Sequence, residues 1–389
     1  MRLIACLAAA LLAIAGNARP AVCCPFCEAP SLTLAEQLGQ ADVSLLVQWV
    51  KAEPADRDKG FAGETTYEVV EVVQDAAKSF ESGAQIKLSR ERVAKSGDLF
   101  VLLGNKGTSV EWASPLAVSE ASYQYIKQAP SQETPAVERL KYFVKFLEYP
   151  DQMVASDAYG EFANAPYRDI VPIKDEFPRE DLRKWLTSPE TPKTRLGLYG
   201  LMIGLCGTDE DAELLREIIS QPTQDYRLGI DGLMAGYLLL TGEEGLPLIE
   251  DTKLRNEDAV FSETYAGMQA LRFLWTYSPE TVPAERLRAS MRILLDRPDL
   301  ADLVITDLAR WEDWSVTDRL KEMYGHDDYN IPSIKRNIIR YFLVAERVKG
   351  EKEGDQPPES ALKAKQYLAE LKESDPKTYQ AAKRFFILN

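Results

Sequence analysis

The decapeptide RLGLYGLMIG at 195–204 returns as RLGIDGLMAG at 227–236, with seven of the ten positions identical. An offset of 32 residues is the length of one supersecondary unit, and self-similarity at that period points to a repeat architecture. Each copy is followed by a turn, GTDEDAE in the first and TGEEGLP in the second, and then by a second helical stretch. In the first unit Thr208 and Asp211 stand at capping-box spacing before DAELLREIIS, whose Ala212, Leu215, Ile218 and Ile219 share one face. One such pair cannot cover both of its apolar faces, so neighbouring pairs must stack.

Looser units continue on both sides. SETYAGMQALRFLWTYSPETVPAERLRASMRILL spans one pair at 262–295. LADLVITDLARW and SVTDRLKEMYG form the next, with Ser315 and Asp318 at capping-box spacing. PSIKRNIIRYFLVAERV and ESALKAKQYLAELK form a last pair, and the acidic stretch at 349–360 reads as a solvated loop within it. Upstream, DQMVASDAYGEFANAP and REDLRKWLTSP fit a diverged first unit. Over roughly residues 151–372 the pattern resembles HEAT-like repeats. That resemblance implies an all-α solenoid whose extended surface takes protein partners and which seldom carries a catalytic site.

The chain before residue 130 has a different period. After a short helix opened by Thr33 and Glu36, stretches rich in β-branched and aromatic residues recur: 43–53, 65–74, 84–91, 97–105 and SVEWASPLAVS. Tyr67, Val69 and Val73 alternate on one face, as do Ile86 and Leu88, and Pro115 places the last stretch at an edge. Five short strands predict a small barrel or sandwich. Cysteines at the start, then QADVSLLVQWVKA, TTYEVVEVV and GDLFVLLGN, resemble the netrin-like, OB-type five-stranded barrel of the tissue inhibitors of metalloproteinases, over roughly 23–118. The resemblance implies a closed barrel and, after cleavage at Val22–Cys23, an N-terminal cysteine that chelates the zinc of a target enzyme. The family opens C-x-C and pairs those cysteines with later ones. This chain opens CCPFC and has no further cysteine before Cys206.

The overall expectation is a multidomain α+β chain: a leader at 1–21, a β-barrel-like domain at 22–130 and a HEAT-like solenoid at 131–389. The leader has Arg2, an apolar run from Leu3 to Ala15 and small residues after it, the pattern of a secretory signal peptide. No later apolar run is long enough to span a bilayer, so an exported, periplasmic or extracellular, protein is expected. The formal charge of −15 disfavours nucleic acid and suits a cationic partner or simple solubility.

Few residues carry a chemical signal. Cys23, Cys24, Cys27 and Cys206 remain after processing, enough for two bridges of unassigned connectivity in an oxidising compartment. Cys24 and Cys27 form a C-x-x-C, which leaves a thiol-redox or metal-linked role as the alternative. Haem attachment fails because Glu28 stands where a histidine is needed. The single histidine, His326, precedes Asp327 and Asp328 in a stretch whose residues suit a turn as well as a metal. Asp56, Asp58, Gly60 and Glu64 faintly suggest a calcium loop but lack an acid where Gly60 sits. Asp157 and Glu161, four apart on a helix, admit a carboxylate-pair hydrolase. No nucleophile elbow, phosphate loop or dinucleotide fingerprint occurs, and no cofactor is expected. Arg195 and Arg227 occupy equivalent repeat positions, where they either form a basic ladder or pair with a local acid such as Glu190 or Asp225. Trp311 and Trp314 flank an inter-helix corner and are candidate partner contacts or core. The expected function is that of a non-catalytic scaffold or binder of another protein.

Overall fold

The computed structural model describes residues 24–27, 32–350 and 355–384. The leader at 1–21 and Cys23 lie outside the described residues. The chain divides into two compact units, one ending at Leu182 and one beginning at Arg183.

The first unit opens with α1 (Leu34–Gln40), whose capping box is formed: Thr33 Oγ1 accepts from Glu36 N–H at 3.2 Å, and Glu36 Oε2 accepts from Thr33 N–H at 2.8 Å. Six antiparallel strands follow: β1 (Val43–Glu53), β2 (Glu64–Asp75), β3 (Gln85–Leu88), β4 (Leu99–Lys106), β5 (Val110–Trp112) and β6 (Leu116–Val118). Their order is β3-β2-β1-β4-β5, and β6 pairs with β4 beside β5. One face closes over Val43, Leu45, Val47, Tyr67, Val69, Ile86, Leu88, Phe100 and Leu102, all buried. Val72, not Val73, continues the inward face of β2. The register passes from Val47 opposite Val69 to Leu46 opposite Glu71, so Val70 is the extra residue of a bulge that moves the inward face to Val72, and a second bulge then skips Val73 between Leu45–Val72 and Ser44–Gln74.

The expected closed barrel does not form. Among the described residues no ladder joins β3 to β5 or β6. The last stretch breaks into two three-residue strands around Pro115, and β3 has four residues, so the edges are too short to zip together. A side chain bridges the opening instead. Arg90, just past β3, donates to the carbonyls of Trp112 (3.2 Å) and Ala113 (2.5 Å) and to Ser114 Oγ (3.2 Å).

Helices α2 (Glu120–Gln128), α3 (Ala136–Phe143) and α4 (Gln152–Asn164) complete this unit. Helix α4 is buried along most of its length and carries Asp157 and Glu161 inside. Asp157 Oδ1 accepts from Leu34 N–H at the start of α1, and Oδ2 accepts from Tyr125 Oη–H, both at 2.6 Å. Glu161 takes Arg139 at 2.5 Å. One carboxylate thus ties three elements, α1, α2 and α4, to one point.

The second unit is a succession of helix pairs, and α5 (Arg179–Thr187) runs across its boundary. The pairs are α6 (Leu196–Cys206) with α7 (Asp209–Ser220), α8 (Ile230–Thr241) with the short turns up to Leu254, α9 (Phe261–Tyr277) with α10 (Ala284–Ile293), α11 (Ala301–Arg310) with α12 (Thr317–Gly325), and α13 (Pro332–Ala345) with α14 (Glu359–Ser374). A last helix, α15 (Pro376–Lys383), packs on α13. First helices lie against first helices: α6 on α8, α8 on α9, α11 on α13. The Thr208–Asp211 capping box opens α7 as expected. The one expected from Ser315 and Asp318 does not form. Asp313 instead caps the turn before α12, its Oδ1 accepting from Ser315 N–H at 3.3 Å.

The first decapeptide enters α6 at Leu196, the second enters α8 only at Ile230, and the two helices face each other. A Cβ added at Gly200 would fall 2.7 Å from Leu233 Cα. One at Gly204 would strike Gly236, one at Gly232 would strike Gly197, and one at Gly236 would strike the Gly200 carbonyl. Gly229, at φ +77°, starts α8 in the left-handed region against the backbone of Gly197. The glycines thus bring two helix backbones into direct contact.

Two predictions follow from this packing. Gly236→Ala should destabilise the second unit by about 2–3 kcal/mol in urea unfolding, because the added methyl meets backbone that cannot move aside. Gly325→Ala, where a Cβ would meet nothing within 4 Å, should change little. The second concerns Asp157, whose pKa rises from 3.8 to about 6. Burial is the main cause. It outweighs the Tyr125 and Leu34 hydrogen bonds, which favour the charge, while Glu161 and Glu36 add to the rise. A carboxyl that holds its proton more tightly when folded adds stability below its unfolded value and loses it as pH rises through its folded one. Unfolding free energy should therefore fall by on the order of 1–3 kcal/mol from about pH 4 to about pH 6.5, and Asp157→Asn should flatten that slope.

Candidate functional site

Helices α9 and α11 belong to neighbouring pairs and are joined by two side-chain contacts 35 and 36 residues apart in sequence. Arg272 Nε and Nη2 donate to Asp307 Oδ2 at 2.8 and 2.6 Å. Trp275 and Trp311 stack with ring centroids 4.4 Å apart and planes 11° from parallel. Arg288, from α10, lays its guanidinium 5.4 Å from the Trp275 ring centroid and donates from Nε to the Trp311 carbonyl at 2.9 Å. Trp311 is buried, Trp275 is half-buried and Thr276 is exposed.

Together Arg272, Trp275, Thr276, Asp307, Arg310 and Trp311 line an open groove of about 400 Å³. Its electrostatics are uneven. Asp307 is 2% exposed, and its pKa is raised, by burial first, against the Arg272 hydrogen bonds that favour its charge. Arg272 takes one oxygen of that carboxylate, Oδ2. Arg310 lies 3.9 Å from the other oxygen, Oδ1, and is 73% exposed at the lip. The groove offers a flat aromatic wall, a buried ion pair at its base and an exposed cation at its mouth. Such a surface is chemically suited to an apolar or aromatic group beside an acidic one. It holds no nucleophile with an adjacent base.

The other sequence-predicted residues fall elsewhere. Trp314 is half-buried and packs edge-on against Tyr341, 5.3 Å between centroids, outside the groove lining. Arg195 is buried at the start of α6. Arg227 pairs with neither of the acids expected. It clasps Glu263 through Nε and Nη2 at 2.9 and 2.5 Å and donates to the Ile218 carbonyl at 2.8 Å. Cys24 and Cys27 form a disulfide, and Cys24 N–H donates to the Ala163 carbonyl at the end of α4 at 3.2 Å. Cys206 is the half-buried last residue of α6. His326 and its two aspartates make an exposed turn, in which His326 Nδ1 accepts from Asp328 N–H at 3.3 Å. Asp56 closes a surface turn with Lys59 at 2.8 Å. Among the described residues no group of three or more His, Cys, Asp or Glu is placed to hold a metal ion, and no helix is long and apolar enough to cross a membrane.

Sequence reading found Trp311 but missed Trp275, Arg272 and Arg310. A signal for Trp275 was present: 275 and 311 are separated by the same interval as Arg227 and Glu263, the spacing at which side chains of successive pairs meet. Comparison of the chain with protein-family models, with curated proteins and with solved structures finds no match.

The Arg272–Asp307 pair yields a prediction. Arg272→Leu leaves Asp307 buried with a distant partner and should cost about 3–5 kcal/mol. Adding Asp307→Leu should recover most of that loss, because two apolar side chains of similar size leave no orphaned charge. Urea unfolding of both single variants and the double variant gives the coupling directly.

Proposed function

We infer that this chain is a non-catalytic protein-binding module, exported by its leader, whose helix-pair unit receives a segment of a partner in the Trp275–Trp311 groove. The observation that carries the reading is the stacked indole pair with Arg310 exposed beside it. Large rigid aromatics next to arginine concentrate binding energy at protein interfaces. The partner's segment pairs a carboxylate with a neighbouring aromatic or aliphatic side chain. The carboxylate meets Arg310, and the apolar group covers the exposed part of Trp275. This local chemistry replaces the cationic partner that net charge alone suggests, because charges beyond about 8 Å are screened at physiological salt.

The HEAT-like reading of the second unit belongs to the same proposal. It is supported by the matched decapeptides and by first helices lying on first helices. The OB-like reading of the first unit rests on strand count and order, with the barrel left open. In this scheme the Cys24–Cys27 bridge is a staple for the N-terminal segment, consistent with Cys24 being 3% exposed and bonded to α4.

The test is affinity capture from the exported fraction, with the full chain as bait beside its Arg310→Glu and Trp275→Ala variants. A partner captured by the native chain should bind Arg310→Glu at least about tenfold more weakly, and Trp275→Ala about thirtyfold more weakly. Equal capture by all three baits would remove the groove from the interface.

A further inference from the structure

Lys253 is 4% exposed and sits in a π-helical turn, Glu250–Leu254, between α8 and α9. Such turns displace one side chain from the ordinary helical spiral and recur at functional sites. The Lys253 ammonium donates to Glu263 Oε2 at 2.7 Å. That carboxylate is already clasped on both oxygens by Arg227. Two cations therefore share one anion, and the group keeps an excess positive charge where water is scarce. The titration directions agree with this geometry. Burial lowers the Lys253 pKa, Glu263 opposes the fall and Arg227 adds to it. Burial resists ionisation of Glu263, yet the hydrogen bonds from Arg227 and Lys253 prevail and hold its pKa down.

Lys253 and Glu263 are part of the lining of a pocket of about 280 Å³, whose walls include Thr223, Gln224, Thr252 and Asn256. This is near the small end of ligand sites, which run from about 300 to 1,000 Å³. On this wall the Gln224 side-chain amide presents a donor that an acceptor-only group can use, while the Thr252 hydroxyl and the Asn256 amide already donate to the Leu248 and Thr252 carbonyls at 2.7 and 3.3 Å. Of the acids on the rim, Asp251 is tied to Arg255 at 2.7 Å, and Asp258 supplies an acceptor for a ligand hydroxyl. We propose that this pocket binds a compact oxyanion, a small carboxylate or phosphate group, whose charge balances the Arg227–Glu263–Lys253 triad. The site is separate from the Trp275–Trp311 groove: the two linings share no residue.

Calorimetric titration of the full chain with malate and with inorganic phosphate, at constant chloride, tests the proposal. At least one probe should bind saturably, and the tighter one identifies the ligand as carboxylate or phosphate. Lys253→Met should weaken that binding at least about tenfold, while its melting temperature without anion equals or exceeds that of the native chain. If Lys253→Met does not fold, Gln224→Ala on the pocket wall should weaken binding several-fold with melting unchanged. Absence of saturable binding by both probes, or undiminished affinity in the variants, overturns the proposal.

Discussion

The contact between α6 and α8 sets the geometry of the second unit. Both helices are apolar nearly all round, so packing must decide which faces meet. The glycines decide it. Gly197, Gly200 and Gly204 on one helix and Gly232 and Gly236 on the other strip side chains from a single line on each surface. Along that line the backbones close to a distance no other residue permits. Backbone on backbone leaves no rotamers to choose, so the crossing of the two helices is fixed more rigidly than a leucine-filled interface would fix it. The pairs that follow build outward from this contact, with α9 next against α8.

Beyond the glycine contact, successive pairs are registered by charge. Arg227 reaches Glu263, Glu250 reaches Arg286 and Arg272 reaches Asp307, at intervals of 36, 36 and 35 residues. In each case the acid is nearly fully buried. Burial works against the charge of Glu250, but hydrogen bonds from Arg286 and Ser290 outweigh it and lower its pKa. Replacing such pairs by apolar residues is often neutral for stability, so their contribution here is register. A helix pair displaced by one turn would leave a carboxylate buried without its arginine. The same interval of 36 residues places Trp275 on Trp311, so the groove arises at the spacing at which the charged contacts between successive pairs also form.

Much of this was legible in the chain. β1 spans the expected 43–53, the capping boxes of α1 and α7 form, and each decapeptide supplies a helix, from Leu196 in the first and from Ile230 in the second. These signals are local, because a strand period or a cap depends on residues a few positions apart. The failures involve distant partners. Val73 reads as inward until the bulge at Val70, opposite Leu46 and Val47, shifts the face to Val72. Strand count predicts a barrel, but closure depends on two edges meeting, and the three-residue strands around Pro115 are too short. Arg227 has Asp225 beside it in sequence, yet bonds Glu263 because stacking brings that acid within reach.

The sequence by itself determined that the chain holds a β-rich segment followed by self-similar helix pairs, since periods of two, of three to four and of 32 residues are written in the order of side chains. It also determined that the pairs must stack, because their apolar faces exceed what one pair can cover. Tertiary structure alone decided that the sheet stays open, that a line of glycines becomes a helix crossing, and that the Trp275 and Trp311 indoles share one wall. The physical reason is distance along the chain. Local patterns choose the elements, whereas grooves, pockets and shared charges arise where residues tens of positions apart are pressed together.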